Sequence, residues 1–167
     1  MTSAQTDLET NSTGPHRFHM EEWISCAPFE RLLNMTIEEA RDGRAVLTMP
    51  FLIDLAQGAG LMHGGALVSL ADTAVVMAIK SLMPAGTHFA TISIQTKFLY
   101  PVKRGTVTAR ASIVEKEGRT VKGEATVYDD EQRPVMEFSS IFKVARDANI
   151  RGITFGVTDG QAICDPK

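Results

Sequence analysis

Asp72 is the residue in this 167-residue sequence whose chemical type and setting best suit catalysis. It lies in a run from Ala66 to Leu82 that contains no glycine or proline and is rich in good helix formers. Because the run is apolar on every side, it predicts a buried helix with one carboxylate in its middle. An ionised carboxylate is rarely buried without compensation. Asp72 is therefore either a catalytic acid or base, or a solvated residue on an exposed stripe or a cap for a neighbouring element.

Two glycines, Gly64 and Gly65, stand at the predicted start of this helix. Backbone N–H groups at a helix start have no acceptor within the helix and lie at its positive end. Glycines leave room for a ligand, so a developing oxyanion could be held there. Gly65 and Asp72 are 72 − 65 = 7 residues apart, or roughly 10 Å along the helix axis. If both serve one reaction, they must come from two subunits of a symmetric dimer.

The elements that must position this helix follow from turn signals and alternation. The sequence predicts two short helical pieces between Met20 and Leu33, broken by Pro28, and then a hairpin with strands at 35–39 and 44–49. After the helix, period-two alternation predicts four strands, at 88–100, 106–115, 120–128 and 135–144. Short turns between them predict an antiparallel meander. Small residues on one face would let a helix lie close, namely Ala109, Ala111, Gly123 and Ala125. The expected architecture is α+β, with one long central helix wrapped by a curved antiparallel sheet.

The composition is that of a soluble globular protein, with 44% hydrophobic and 22% charged residues. A net charge of −3 argues against nucleic acid or an anionic membrane as a partner. Cys26 and Cys164 lie far apart, which predicts neither a disulfide framework nor a zinc site and fits a reducing compartment. His16 and His19 lack acidic or cysteine partners at ligand spacing, so no metal site is expected. With no signal-peptide pattern and no long apolar span, we expect a cytoplasmic protein.

The expected domain organisation has three parts. Residues 1–19 are polar and form a flexible N-terminal tail, residues 20–146 form a single domain, and residues 147–167 are weakly patterned and form a C-terminal tail. The sequence contains no internal repeat. One domain of this length can bury a substantial core.

Four segments resemble one known family, the hot-dog-fold acyl-CoA thioesterases, and in particular their phenylacetate-degradation (PaaI-like) subfamily. They are His63-Gly64-Gly65, Leu70–Ala74, Phe98–Pro101 and Gly118-Arg119. Together with the order of elements, the resemblance covers roughly residues 29–144. It implies hydrolysis of an acyl-CoA thioester to the free acid and CoA, at sites shared between the subunits of a homodimer. It also implies a homotetramer built as a dimer of dimers, and no cofactor, since coenzyme A is part of the substrate.

The resemblance also implies roles for individual residues. Asp72 would act as general base or as nucleophile towards the thioester carbonyl. The Gly65 backbone N–H of the partner subunit would polarise the carbonyl oxygen, and His63 would position the loop and the thioester. Gln57, 63 − 57 = 6 residues before the histidine, falls where the family has an Asn or Gln that helps hold the nucleophile or the thioester.

Thr91 falls where some members have a Ser or Thr that binds the water or the carboxylate. Strand alternation places Thr91 on the polar side, opposite Ile92 and Ile94, so it reaches the site only if a bulge turns it inward. Val76 occupies the position at which the branch of the family that uses Glu has a water-orienting Thr. Thr91 or another donor would then have to replace that threonine.

The substrate would require further contacts. CoA carries phosphates, so cations are expected at the pocket mouth, and Arg104 and Arg119 are the candidates. Gly64 and Gly118 are expected to contribute to substrate binding as well. The acyl group would contact Met62, Val76 and Phe89, although core packing explains these side chains equally well.

Two alternatives remain on the same fold. A hydratase or dehydratase typically pairs a histidine closely with a carboxylate. An acyl-CoA-binding sensor would usually carry a DNA-binding extension, for which residues 1–19 are short and not basic.

Overall fold

The computed structural model describes Phe18 and residues 20–146, and the residues from Glu21 onwards form one compact unit. The tails predicted at 1–19 and 147–167, with His16, His19 and Cys164, lie outside the described residues, Phe18 excepted. The elements of the compact unit are α1 (Pro28–Leu32), β1 (Thr36–Arg41), β2 (Arg44–Pro50), a 3-10 turn (Ile53–Leu55), α2 (Gly64–Lys80), β3 (Phe89–Phe98), β4 (Thr106–Glu117), β5 (Thr120–Tyr128) and β6 (Pro134–Val144).

The six strands form one antiparallel sheet in the order β1-β2-β4-β5-β6-β3. The predicted meander is therefore right for β4, β5 and β6 but wrong for β3, which pairs with β6 at the far edge. The segment after β3 crosses the end of the sheet instead of turning back. Leu99 N–H donates to Val135 O at 2.8 Å, which continues the pairing with β6, and Val102 O accepts from Met62 N–H at 3.0 Å, which holds the chain near the start of α2.

Helix α2 lies across the inner face of the sheet, where it contacts β2, β4, β5 and β6. The small residues expected to allow this approach are buried there. At Gly123 the helix lies so close that an added Cβ would overlap the Val75 side chain. The core between helix and sheet is then filled by larger side chains, including Leu47, Met49, Leu70, Met77, Ile79, Met136 and Phe142.

The segment before β1 differs from its prediction. Of the two helical pieces expected around Pro28, only α1 forms, with proline in its first turn. Residues 21–25 bend instead, because the Trp23 indole N–H donates to Lys80 O at 3.0 Å and so ties this segment to the end of α2. The Lys80 ammonium lies 4.9 Å from the centre of the Trp23 ring, which adds a cation–π contact.

The two edges of the sheet differ in character. β1 is short, contains a bulge and carries Glu38, Glu39 and Arg41, which are features that discourage pairing with another strand. β3 is ten residues long, has Lys97 as its one charged residue and exposes Ile92, Ile94 and Phe98. β3 is therefore the edge that is open to a further strand. Across the described residues, no helix has the length and apolar content to cross a bilayer.

Candidate active site

Among the described residues, one backbone N–H group at the start of α2 has no acceptor. His63 caps the helix, and its imidazole Nδ1 accepts from Gly65 N–H at 2.9 Å. The next amide, Ala66 N–H, donates to His63 O at 3.0 Å. Within the described part of the chain, Gly64 N–H has no such partner. The group able to donate to a ligand at this helix start is therefore that of Gly64, and the Gly65 N–H named from the sequence is already engaged.

Asp72 lies on the one face of α2 that its own sheet leaves partly open. The residues of this open face are half-buried or exposed, whereas most others in the helix are buried, and they are Gly65, Val68, Ser69, Asp72 and Val76. Their spacing of three or four residues follows one side of a helix. The carboxylate is thus neither fully solvated nor sealed in the core. The open face continues to Gly65 at the helix start, one residue after the free Gly64 N–H.

Thr91 reaches Asp72 because β3 contains a bulge, which is the condition that strand alternation sets for this contact. The register of β3 against β6 shifts between Thr91 and Ser93, so Thr91 faces inward. Its hydroxyl donates to both carboxylate oxygens of Asp72, at 3.3 and 3.4 Å. These long contacts leave the carboxylate able to accept further hydrogen bonds.

The environment of Asp72 shifts its acidity in two opposing directions. Burial raises the pKa of the carboxyl above its ordinary value, because it disfavours the charged form. The hydrogen bond from Thr91 lowers the pKa, because it favours the charged form, but burial has the larger effect. A carboxylate with a raised pKa is a stronger base, which suits proton abstraction from water.

Gln57 lies in the loop before α2, and its side chain is engaged locally. The side-chain Oε1 accepts from Ala59 N–H at 2.5 Å, and the backbone N–H of Gln57 donates to Leu61 O at 2.8 Å. The loop is held to the helix start by the His63 N–H, which donates to Leu55 O at 2.8 Å. The structure thus pairs Gln57 with Leu61 and His63 with Leu55, and within the described residues neither Gln57 nor His63 has a hydrogen bond to Asp72.

The two arginines that are candidates for binding the CoA phosphates lie at opposite ends of β4. Arg104 precedes the strand and forms an exposed ion pair with Glu131, with 3.5 Å between nitrogen and oxygen. Arg119 follows the strand, in the turn that Gly118 allows with its φ of 54°, and its guanidinium donates to Val144 O at 3.0 Å. One chain therefore does not bring these two arginines together. Arg104 lies at the end of the sheet near the start of α2, and Arg119 lies at the other end.

The three side chains expected to contact the acyl group do not all lie beside Asp72. Met62 is buried in the core, and Phe89 packs edge-on against Phe142 with 5.9 Å between ring centres, so core packing accounts for both. Val76 is half-buried, one helical turn beyond Asp72 on the open face. Of these three side chains, Val76 is the one placed beside the carboxylate.

Three further side chains border this region and were not singled out from the sequence. Val68 and Ser69 precede Asp72 by four and three residues, a spacing that would have placed them on its face once the helix was assigned. Phe98 packs against Gly64, and an added Cβ on Gly64 would lie 3.0 Å from its Cζ. The sequence could not show that contact, because it depends on how β3 lies against the helix.

Comparison with known proteins agrees with this arrangement. Residues 59–136 match the sequence pattern of the thioesterase superfamily. ComA2 of Bacillus subtilis is 33% identical over 102 residues, which are 60% of this chain and 81% of that protein. The chain belongs to the thioesterase superfamily. A second relative of this thioesterase, in Halobacterium salinarum, is 36% identical over 94 residues, and the match spans 53% of this chain and 61% of that protein.

Solved structures show the same fold. The PaaI protein from the phenylacetic acid degradation operon of E. coli superposes with a TM-score of 0.66 at 28% identity, covering 71% of this chain and 85% of that one. A hypothetical thioesterase from Streptococcus pneumoniae, solved with coenzyme A, superposes with a TM-score of 0.62 at 25% identity, covering 67% of this chain and 86% of that one. The predicted hot-dog fold and PaaI-like family are therefore confirmed, and thioester hydrolysis is the general activity that they support.

Proposed function

We propose that this thioesterase hydrolyses acyl-CoA thioesters to the free acid and CoA, at two equivalent sites of a homodimer. Each site is built from Gly64 of one subunit and Asp72 of the other. The observation that carries the proposal is that the Thr91-bound carboxylate lies on the open face of α2, and that the first residue of the same helix, Gly64, has a backbone N–H without an acceptor among the described residues. They are 72 − 64 = 8 residues apart, or roughly 12 Å along the helix, which is too far for one thioester to touch both in one chain.

A two-fold axis resolves this separation. If the axis crosses α2 midway between Gly64 and Asp72, near Val68, the two helices run antiparallel and each Gly64 faces the other subunit's Asp72. Val68 and Ser69 lie at that level on the open face, where a second helix would bury them. The exposed apolar edge of β3 supports the same assembly, because an antiparallel copy of β3 would pair with it.

The same axis brings the two candidate phosphate ligands to one end of the assembly. Arg104 lies at the end of the sheet near the helix start, and Arg119 lies at the opposite end of β4. In an antiparallel pair, Arg104 of one subunit and Arg119 of the partner subunit come to the same end. Both could then bind the phosphates of one CoA, with Arg119 oriented by its bond to Val144 O.

The chemistry follows from these positions. The thioester carbonyl oxygen accepts from Gly64 N–H, which stabilises the negative charge that grows on this oxygen during attack. The ionised Asp72 takes a proton from the attacking water, or attacks the carbonyl carbon itself, and both routes need the charged carboxylate. The carbon–sulfur bond then breaks, and CoA leaves as a thiolate that takes up a proton. On the first route this step releases the acid directly. On the second route it leaves an anhydride between Asp72 and the acyl group, and water hydrolyses this anhydride to release the acid and restore the carboxylate.

The deciding experiment is thiol release from a panel of straight-chain, branched and aryl acyl-CoAs. We expect turnover by the wild type and a loss of roughly 10³-fold in kcat for Asp72→Asn, within the range for removing a positioned base. Asp54→Asn, an exposed carboxylate in the loop before α2, is the matched control and should retain activity.

Three results would overturn the proposal. Near-wild-type turnover by Asp72→Asn would remove this residue from the chemistry. Hydration of an unsaturated acyl-CoA without thiol release would indicate a hydratase, and tight binding without turnover would indicate an acyl-CoA sensor.

A further inference from the structure

Phe98 is an aromatic side chain that the fold leaves half outside the core. Its backbone pairs with Met136, whose side chain is fully buried, so both side chains are on the inner face of the sheet. Phe98 is nevertheless 54% exposed, at the end of the edge strand. Its large apolar ring therefore borders the open face of α2.

The ring lies against the residue that carries the free N–H group. A Cβ added to Gly64 would lie 3.0 Å from Phe98 Cζ and 3.1 Å from Cε1, so the tip of the ring touches Gly64 itself. Gly65 is not approached in this way, since the nearest atoms to an added Cβ there belong to His63. The contact is thus specific to the glycine to which we assign the carbonyl oxygen.

This position brings the ring close to one part of a bound substrate. A carbonyl oxygen that accepts from Gly64 N–H at about 2.9 Å places the two atoms bonded to the carbonyl carbon within roughly 5 Å of Gly64 N. One of these atoms is the thioester sulfur, which is the same in every CoA ester. The other is the α-carbon of the acyl group, and it is the one that varies between substrates.

We infer that Phe98 is a specificity-determining residue that limits substitution at the acyl α-carbon. Because the ring occupies the space against Gly64, a branch or an aryl ring at the α-carbon is crowded by it more than a methylene group is. The preferred substrates are then acyl-CoAs with an unbranched α-carbon. This inference rests on the proposed function, because it requires the carbonyl to bind at Gly64.

The test compares two isomeric substrates, butanoyl-CoA and 2-methylpropanoyl-CoA, which differ only in branching at the α-carbon. We expect wild-type kcat/KM to favour butanoyl-CoA by roughly tenfold or more, the scale on which a pocket discriminates one methyl group. Phe98→Ala should reduce this ratio to roughly threefold or less, and Phe98→Leu to an intermediate value. Ile94→Ala is the matched control, since Ile94 is a 44% exposed residue on the same face of β3 and should leave the ratio unchanged.

Each outcome has a definite meaning. Both substrates are measured on one preparation, so a partly inactive variant still gives its true ratio. A wild-type ratio near one, a ratio that Phe98→Ala leaves unchanged, or an equal change in Ile94→Ala overturns the role of Phe98 while the thioesterase activity stands. Thiol release from none of the acyl-CoAs overturns the proposed function, and this inference with it.

Discussion

Gly64 and Gly65 differ in whether the backbone N–H already has an acceptor, and this difference can be tested. Gly64 is the first residue of α2, where proline is well tolerated, and His63 before it has φ −66° and ψ 131°, which suit a residue that precedes proline. Gly64→Pro therefore removes the free N–H with little backbone strain. We expect it to lower kcat by roughly 10²–10³-fold, as for the loss of one oxyanion donor.

Gly64→Ala is the control for this substitution, because it adds a Cβ against Phe98 but keeps the N–H. We expect Gly64→Ala to retain kcat within roughly tenfold of the wild type, since only the end of one aromatic side chain has to shift. Steady-state kinetics with thermal unfolding of both variants makes the comparison. An equal loss in the two variants would assign the effect to crowding of the ring and not to the donor.

Thr91 sets the pH at which Asp72 becomes a base. Burial raises the pKa of Asp72 and the Thr91 hydrogen bond lowers it, so Thr91→Val should raise the pKa further. Activity that needs the ionised carboxylate is lost as the pH falls through this pKa. The acid limb of the kcat/KM profile should therefore move to higher pH in Thr91→Val and stay in place in Thr91→Ser. An acid limb that stays in place or moves to lower pH in Thr91→Val would separate Thr91 from the ionisation of Asp72.

Single residues also mark the limit of what the sequence could predict. The sequence identifies Asp72 because it is the one carboxylate in an otherwise apolar predicted helix, and residue types alone are enough to show this. Whether Gly64 or Gly65 keeps a free N–H depends on the direction of the His63 imidazole, and neither residue type nor spacing encodes that direction. Thr91 faces Asp72 because β3 contains one extra residue relative to β6. Alternation along the sequence can locate such a bulge only once the pairing with β6 is known.

At the scale of elements, the close packing of α2 on the sheet depends on Gly123. An added Cβ would overlap Cγ1 of Val75 and lie 3.3 Å from its Cγ2. Gly123→Ala should therefore lower the free energy of unfolding by about 1–3 kcal/mol, as overpacking of a core does. Urea denaturation measures the loss. Glu124→Ala, on the outer face of the same strand, should leave stability nearly unchanged.

The double variant Gly123→Ala/Val75→Ala separates overpacking from a backbone effect. Val75→Ala removes the two methyl groups that the new Cβ would meet, so the double variant should be more stable than the sum of the two single losses predicts. Additive losses would show that the Val75 methyl groups do not cause the destabilisation by Gly123→Ala.

The strands themselves were predictable from alternation, but their order was not. Period-two patterns located β3, β4, β5 and β6 to within a few residues. One face is buried in β4, β5 and β6, whereas β3 alternates in sequence although none of its residues is fully buried. The pairing of β3 with β6 joins segments about 40 to 55 residues apart in the sequence, from Phe89 with Val144 to Phe98 with Met136, and a local pattern carries no information about such a pairing. Ile92 and Ile94 are exposed although they are large and apolar, because the helix does not cover that edge of the sheet.

At the scale of the whole molecule, two inactive variants should restore each other's activity. In a heterodimer of Asp72→Asn and Gly64→Pro, one site combines the intact Gly64 of the first chain with the intact Asp72 of the second, and the other site carries both substitutions. Random association makes half of the dimers mixed, so about a quarter of the wild-type number of sites should be active. Thiol release by the mixture, after the two chains have been unfolded together and refolded, measures this recovery.

Each variant refolded alone is the control, and it should remain inactive. Recovery in the mixture requires a site shared between subunits, because a site within one chain would be defective in every molecule present. An inactive mixture that nevertheless contains mixed dimers, shown by tags of different mass on the two chains, would contradict the shared site. The roughly 12 Å between Gly64 and Asp72 along α2 would then leave the carboxylate and the oxyanion donor without a common substrate.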